Sequence, residues 1–173
     1  MIGIAQEPQI LKRPATVQLV GLSFLLAFLL MLLPWSGPWL LLRPDFMALL
    51  LVYWTVREPM LIGGWIAFGL GIFADVADSS TLGIHALGYS ITYFLAFHFR
   101  ARILSFYAAN QALHILPILF VSQIVTALTA WILKFPLPGW WWWFQSPFTA
   151  LFWIALPALL EHQRVRDEHS RVS

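Results

Sequence analysis

The chain contains no cysteine, which rules out disulfides, thiolate-bound metals and cysteine nucleophiles. Charge is almost as scarce. Asp, Glu, Lys and Arg make up 10% of the 173 residues, whereas a soluble domain of ordinary composition carries about 25%. So little polarity cannot clothe a water-facing surface, and no polar stretch is long enough to fold as a separate domain. Enzyme signatures are missing as well: there is no HExxH, no Gly-x-Ser-x-Gly and no Walker loop. Gly69-x-Gly71 stops short of a dinucleotide fingerprint, which would also need a strand before it. Ser23, Ser90, Ser105 and Ser122 have no paired base suggested by the sequence. A non-enzymatic protein without a cofactor is expected.

What the chain has in abundance is apolar sequence, 60% by count with a mean hydropathy of +0.77. Crossing a hydrocarbon core of about 30 Å takes roughly 17 to 25 mostly apolar helical residues. Six stretches suit that length, about 15–34, 39–56, 61–78, 82–98, 113–133 and 146–161. They are long unbroken runs, not the short alternating ones of a barrel strand. The expected fold is therefore an all-α integral membrane bundle of about six helices over 15–161, with tails at 1–14 and 162–173. Pro34, Trp35, Ser36, Gly37 and Pro38 end the first segment, and Glu58-Pro59 makes a tight connection before the third. Asp78, Ser79, Ser80 and Thr81 offer an N-cap for the fourth, and Pro136, Pro138 and Gly139 break the chain after the fifth. The first segment is longer than a signal-peptide core and no A-x-A-like cleavage site follows, so it is read as a retained helix.

Six spans place both termini on one side. Eight basic residues fall on that side: Lys12, Arg13, Arg57, Arg100, Arg102, Arg164, Arg166 and Arg171. Arg43 and Lys134 fall on the other. Positive loops stay cytoplasmic, which argues for an inner-membrane protein with both ends in the cytoplasm. Trp140–Trp143 would then lie at the outer interface, as an indole anchor ahead of an aromatic binding cage.

Ionisable groups inside spans are costly and mark sites or partners. They are Arg43, Asp45, Asp75, Asp78, His85, His98 and His114. Asp75 follows Ala67 and Gly71 at four-residue spacing, with Gly64 on the same face. Small residues in that register let another helix come close, so Asp75 is expected to end a packed seam. Near the C-terminal end of its own helix it gets no help from that helix's dipole, and it needs a partner. Arg43 is the expected one: both residues lie 16 positions from Pro59, at similar depth if regular helix begins near Arg43. Asp78 reads as an interfacial turn residue, with a cation or proton site at Asp75 and Asp78 the competing reading. His85 with Tyr89, and His114, Gln123 and Thr126, read as interhelical hydrogen-bonding groups before ligands.

An ordered set of short elements resembles the MreD family of rod shape-determining proteins. It comprises Pro34-Trp35, Arg43-Pro44-Asp45, Tyr53-Trp54, Pro59, then Phe68, Gly71 and Asp75, then Ser80-Thr81-Leu82-Gly83 and His85-Ala86-Leu87. Asp78 and Ser79 depart from the small residue and glycine that the family tends to show there. The resemblance implies a scaffold of the cell-elongation machinery, maintaining rod shape and lateral peptidoglycan synthesis. Its implied partners are MreC and, in the wider assembly, MreB, RodA and a penicillin-binding transpeptidase. It also implies a fold similar to the substrate-binding subunits of energy-coupling-factor transporters. The competing expectation is a small-molecule- or lipid-binding subunit of a transporter.

Overall fold

The computed structural model describes residues 15–34, 37 and 43–160. Lys12, Arg13, Trp35, Ser36, Pro38, Arg164, Arg166 and Arg171 lie outside these residues, as do both tails and the start of the second expected segment. Every regular element among the described residues is helical: α1 Val17–Met31, α2 Phe46–Arg57, α3 Gly64–Ala77, α4 Ile84–His98, α5 Arg100–Leu104, α6 Ala108–Ile132, a 3-10 helix Trp140–Phe144 and α7 Gln145–Phe152. One of them, α6, is long and apolar enough to cross a membrane, while α1, α2 and α3 are shorter apolar helices.

Local chemistry sets the boundaries. Thr16 caps α1 by accepting from the Leu19 N–H, and Asp45 caps α2 by accepting from Ala48. Helix α2 therefore begins at Phe46, not near Arg43, and Pro44 stands before it instead of in its first turn. At the far end of α3, the Ser80 N–H bonds the Asp75 carbonyl and the Ser79 N–H bonds the Val76 carbonyl, the paired bonds of a Schellman stop. Ser79 takes the left-handed conformation that this motif demands, with φ 52°. Lys134, φ 65°, closes α6 in the same way, through Phe135 to Ala130 and Lys134 to Trp131. The N-cap of α4 is Gly83, φ 107°, and none of the residues 78–81 caps it. Helix α6 starts five residues ahead of the fifth expected segment, and the sixth is interrupted by a turn at 153–155 after α7.

Helix α2 runs through the middle of the bundle and touches α1, α3, α4, α5, α6 and α7. That position explains its uniformly apolar sequence: every residue from Met47 to Val56 is buried. Tyr53 and Trp54, singled out in the sequence, sit inside this core, with the Tyr53 ring edge-on to both Trp54 and Trp153. Trp54 Nε1 donates to Ser23 Oγ at 2.9 Å, tying α2 to α1.

The small-residue seam of α3 faces α4. A Cβ on Gly71 would run into the backbone of Ala86 and His85, and one on Gly64 would touch the Tyr93 ring at 3.6 Å. Ala67 between them is fully buried. Backbones meet again where Gly88 of α4 lies against Ser122 and Thr126 of α6. Pro59 sits in the turn joining α2 to α3, where Leu61 N–H bonds the Glu58 carbonyl.

Candidate functional site

The N-terminus of α2, the C-terminus of α3 and the N-terminus of α4 meet at one end of the bundle, with the C-terminal part of α6 and the start of α7 beside them. Most of the ionisable residues picked out in the sequence collect there. Their pairing differs from the expected one.

Asp75 is wholly buried, and its partner is not Arg43. Its carboxylate reaches across the turn to the start of α4. Oδ2 accepts from the Gly83 N–H at 2.7 Å, while Oδ1 accepts from the His85 N–H at 2.8 Å and from Ser80 Oγ at 3.0 Å. His85 Nδ1 lies 2.8 Å from the same Oδ1. Asp75 thus supplies the N-cap that residues 78–81 do not. Although it stands at the wrong end of α3 for that helix's dipole, it stands at the favourable, N-terminal end of α4.

Arg43 instead pairs with Asp78, Nη2 to Oδ1 at 2.6 Å, and its Nη1 donates to the Met31 carbonyl at 3.3 Å. The reason lies in the chain between Arg43 and Phe46. Those three residues are not helical: Asp45 has φ −83° and ψ 82°, and the Phe46 N–H bonds the Pro44 carbonyl. Such a stretch rises more per residue than the roughly 1.5 Å of a helix, which carries Arg43 farther along the bundle than a helix would. Asp78 lies about 4.5 Å beyond Asp75 along the helix axis, and it is Asp78 that the displaced guanidinium meets. Asp78 is accordingly an ion-pair member and not a turn residue alone, and Asp75 and Asp78 do not share one site.

Asp45 holds three elements together. Its Oδ1 accepts from the Ala48 N–H at 2.9 Å and from Tyr89 Oη at 2.7 Å, and its own N–H donates to Thr149 Oγ1 at 2.9 Å. The expected interhelical roles of His85 and Tyr89 are therefore filled, one through Asp75 and the other through Asp45. Gln123 also bonds between helices, Nε2 donating to the Trp142 carbonyl at 2.6 Å and Oε1 accepting from Ser146. His114 and Thr126 do not: each bonds a carbonyl four residues earlier in its own helix. His98 stands at the end of α4, away from this cluster.

The cluster opens onto a cavity of about 270 Å³. One wall carries charge, from Arg43, Asp45, Asp78 and His85. The other carries hydroxyls and amides of α6 and α7, with Trp142 of the 3-10 helix. Gly88, Ser122, Gln145, Ser146 and Thr149 were not read from the sequence as parts of a site. The signal available for them was the Ser122–Thr126 spacing of four, facing Gly88 and Thr92 at the same spacing. Among the described residues, no group of three or more His, Asp or Glu is placed to hold a metal ion.

Compared with known protein families, residues 12–163 match MreD, the rod shape-determining protein MreD. The chain belongs to the MreD family. It is also similar to the rod shape-determining protein MreD of Haemophilus influenzae, 38% identical over 73 residues, which is 42% of this chain and 44% of that protein. The aligned stretch thus spans less than half the length of the curated relative. No solved structure matches. MreD proteins are a membrane protein family tied to rod shape determination and are not a known enzyme family. Of the elements behind the MreD resemblance, Arg43, Asp45, Asp75, Gly71, Gly83 and His85 all meet at the charged end described above. The MreD-like Tyr53-Trp54 pair and Pro59 lie toward the opposite end of α2.

Proposed function

We propose that this MreD-family chain is a non-enzymatic scaffold of the rod-shape machinery in the bacterial inner membrane, and that it binds an MreC-like membrane protein. The observation that carries this reading is the family match over 12–163 together with the rod shape-determining relative. It crosses the membrane about six times with both termini in the cytoplasm. Of the described basic residues, Arg57, Arg100 and Arg102 sit at the end of the bundle away from the cavity. Arg43 and Lys134 sit at the cavity end, which the charge bias makes the outer one. The outward face of α1, with Leu22, Leu25 and Leu29 exposed, suits acyl chains. RodA, the penicillin-binding transpeptidase and MreB join through this complex, in support of lateral peptidoglycan synthesis.

Two measurements test the proposal. Purification in mild detergent should bring down an MreC-like protein in stoichiometric amount, and its absence at native expression levels would remove the scaffold reading. Reporter fusions after Arg57, Arg102 and Ser173 should report cytoplasm, and fusions at Gly37 and Gly139 the outside. An outside signal at Ser173 would reject six spans.

A further inference from the structure

The cavity between the charged cluster and α6–α7 has polar groups that the fold leaves unused. Among the described residues, Asp45 Oδ2 takes part in no hydrogen bond, since both of its side chain's bonds go to Oδ1. Asp78 Oδ2 is 3.8 Å from His85 Nε2, beyond hydrogen-bonding distance. On the facing wall, the Ser122 hydroxyl has no partner among the described residues although Ser122 is only 5% exposed. Gln145 Nε2 donates to no described residue either, its amide being engaged only through Oε1, at 3.5 Å from Gln123.

The charges on the lining do not cancel. Arg43 neutralises one carboxylate, that of Asp78. His85 is bonded to a different one, Asp75, which lies behind the lining. That leaves the Asp45 carboxyl, which lines the cavity, with no ion-pair partner among the described residues and with Oδ2 outside its two hydrogen bonds. Buried charge is retained where something compensates it. The volume is larger than a bare ion fills: about 270 Å³ has room for roughly nine waters at about 30 Å³ each.

We infer that the cavity is a binding site for a small primary ammonium compound bearing hydroxyl or ester oxygens. The ammonium sits at Asp45 Oδ2, and the oxygens take the donors of Ser122 and Gln145. This chemistry is shared by free amino-alcohol phosphates and by the ethanolamine headgroup of a phospholipid. Its enclosed part has about eight non-hydrogen atoms, a match to the available space. The site does not depend on the scaffold reading, because no partner protein contributes to it.

The test uses the full chain purified in detergent and stripped of lipid. Thermal unfolding and titration calorimetry are run with O-phosphoethanolamine, and in nanodiscs of phosphatidylethanolamine or of phosphatidylglycerol. Saturable stabilisation by either ethanolamine compound, and not by glycerol phosphate or phosphatidylglycerol, is expected. A response to the soluble compound places the ligand in solution, whereas a response to the nanodisc alone makes it a lipid headgroup. Asp45→Asn keeps the α2 cap, since Asn caps as well as Asp, and should weaken binding roughly thirtyfold or more by removing the charge. Ser122→Ala, which breaks no described hydrogen bond, should weaken binding several-fold while the ligand-free unfolding temperature stays put. Equal stabilisation by the glycerol compounds, no stabilisation by any of them, or unchanged affinity in both variants would overturn the assignment.

Discussion

The two ends of α2 are fastened by different physics. At its N-terminus the chain is held by charge: Asp45 with Tyr89 and Thr149, Arg43 with Asp78, and Asp75 on the first turn of α4. At its C-terminus the hold is aromatic. Tyr53, Trp54 and Trp153 are buried together, with polar ties around them that include Trp54 to Ser23, Trp153 Nε1 to Gln111 at 3.1 Å, Arg100 Nε to the Val56 carbonyl at 2.6 Å, and the Ala15 N–H to Glu58 at 3.1 Å. Packing needs only volume and shape, so the aromatic end tolerates conservative exchange. Directed bonds to buried carboxylates do not, because any lost partner leaves a charge stranded. The charged end is thus the more specific and the more fragile of the two, and it encloses the cavity.

The largest effect expected at the charged end comes from Gly71→Leu. Even a methyl group there would collide with the backbone of α4 at Ala86, which no rotamer change can relieve. Overpacking typically costs about 1–3 kcal/mol and more where backbone must move, so loss of folded protein is expected by size-exclusion chromatography. Ile66→Leu is the control, on an exposed part of α3. Similar yields from both variants would remove the close-contact argument.

Asp75→Asn should follow, at about 3–5 kcal/mol. An amide can accept through one oxygen only, while the carboxylate accepts on both: Gly83 on one, His85 and Ser80 on the other. Trp54→Phe at the aromatic end should cost less, about 1–2 kcal/mol, for the hydrogen bond to Ser23 and a smaller ring. Denaturation in detergent measures both. If Trp54→Phe proves the more damaging, the ranking of the two ends is reversed.

Hydropathy made the helical class readable, and the 64–67–71–75 pattern made the α3 seam readable, because both are periodic properties of one segment. Partner choice was harder. The Arg43–Asp75 expectation treated residues 43–45 as helix, and three non-helical residues carry Arg43 past Asp75 to Asp78. The dipole argument for Asp75 considered only α3, whereas the carboxylate serves α4. The hydroxyl and amide wall was legible only in Gln123 and Thr126, since Ser122 and Ser146 are 24 positions apart and meet only through the packing of α6 on α7.

A double-mutant cycle on Arg43 and Asp78 sharpens the comparison further. Both side chains keep some exposure, 16% and 23%, so solvent screens part of their attraction. The expected coupling is about 1–2 kcal/mol, below that of a fully enclosed pair. The parallel cycle on Arg43 and Asp75 should be near zero. Coupling of Arg43 to Asp75 in place of Asp78 would restore the pairing that the sequence suggested.

The smallest effect, and the only stabilising one, belongs to Ser79→Gly. The Schellman stop of α3 requires a left-handed residue after the cap, and Ser79 supplies it at φ 52° with the usual penalty of a Cβ in that region. Glycine carries no such penalty, although it adds freedom to the unfolded chain that offsets part of the gain. A net stabilisation of up to about 1 kcal/mol is expected. The benefit should appear at the charged end in particular, because the same turn aims Asp75 at Gly83 and Asp78 at Arg43. Hydrogen exchange can locate it: slower exchange of the Gly83 and His85 amides in Ser79→Gly is expected, with the amides around Trp54 unchanged. Destabilisation by glycine would mean that the serine side chain contributes to the turn more than its conformation costs.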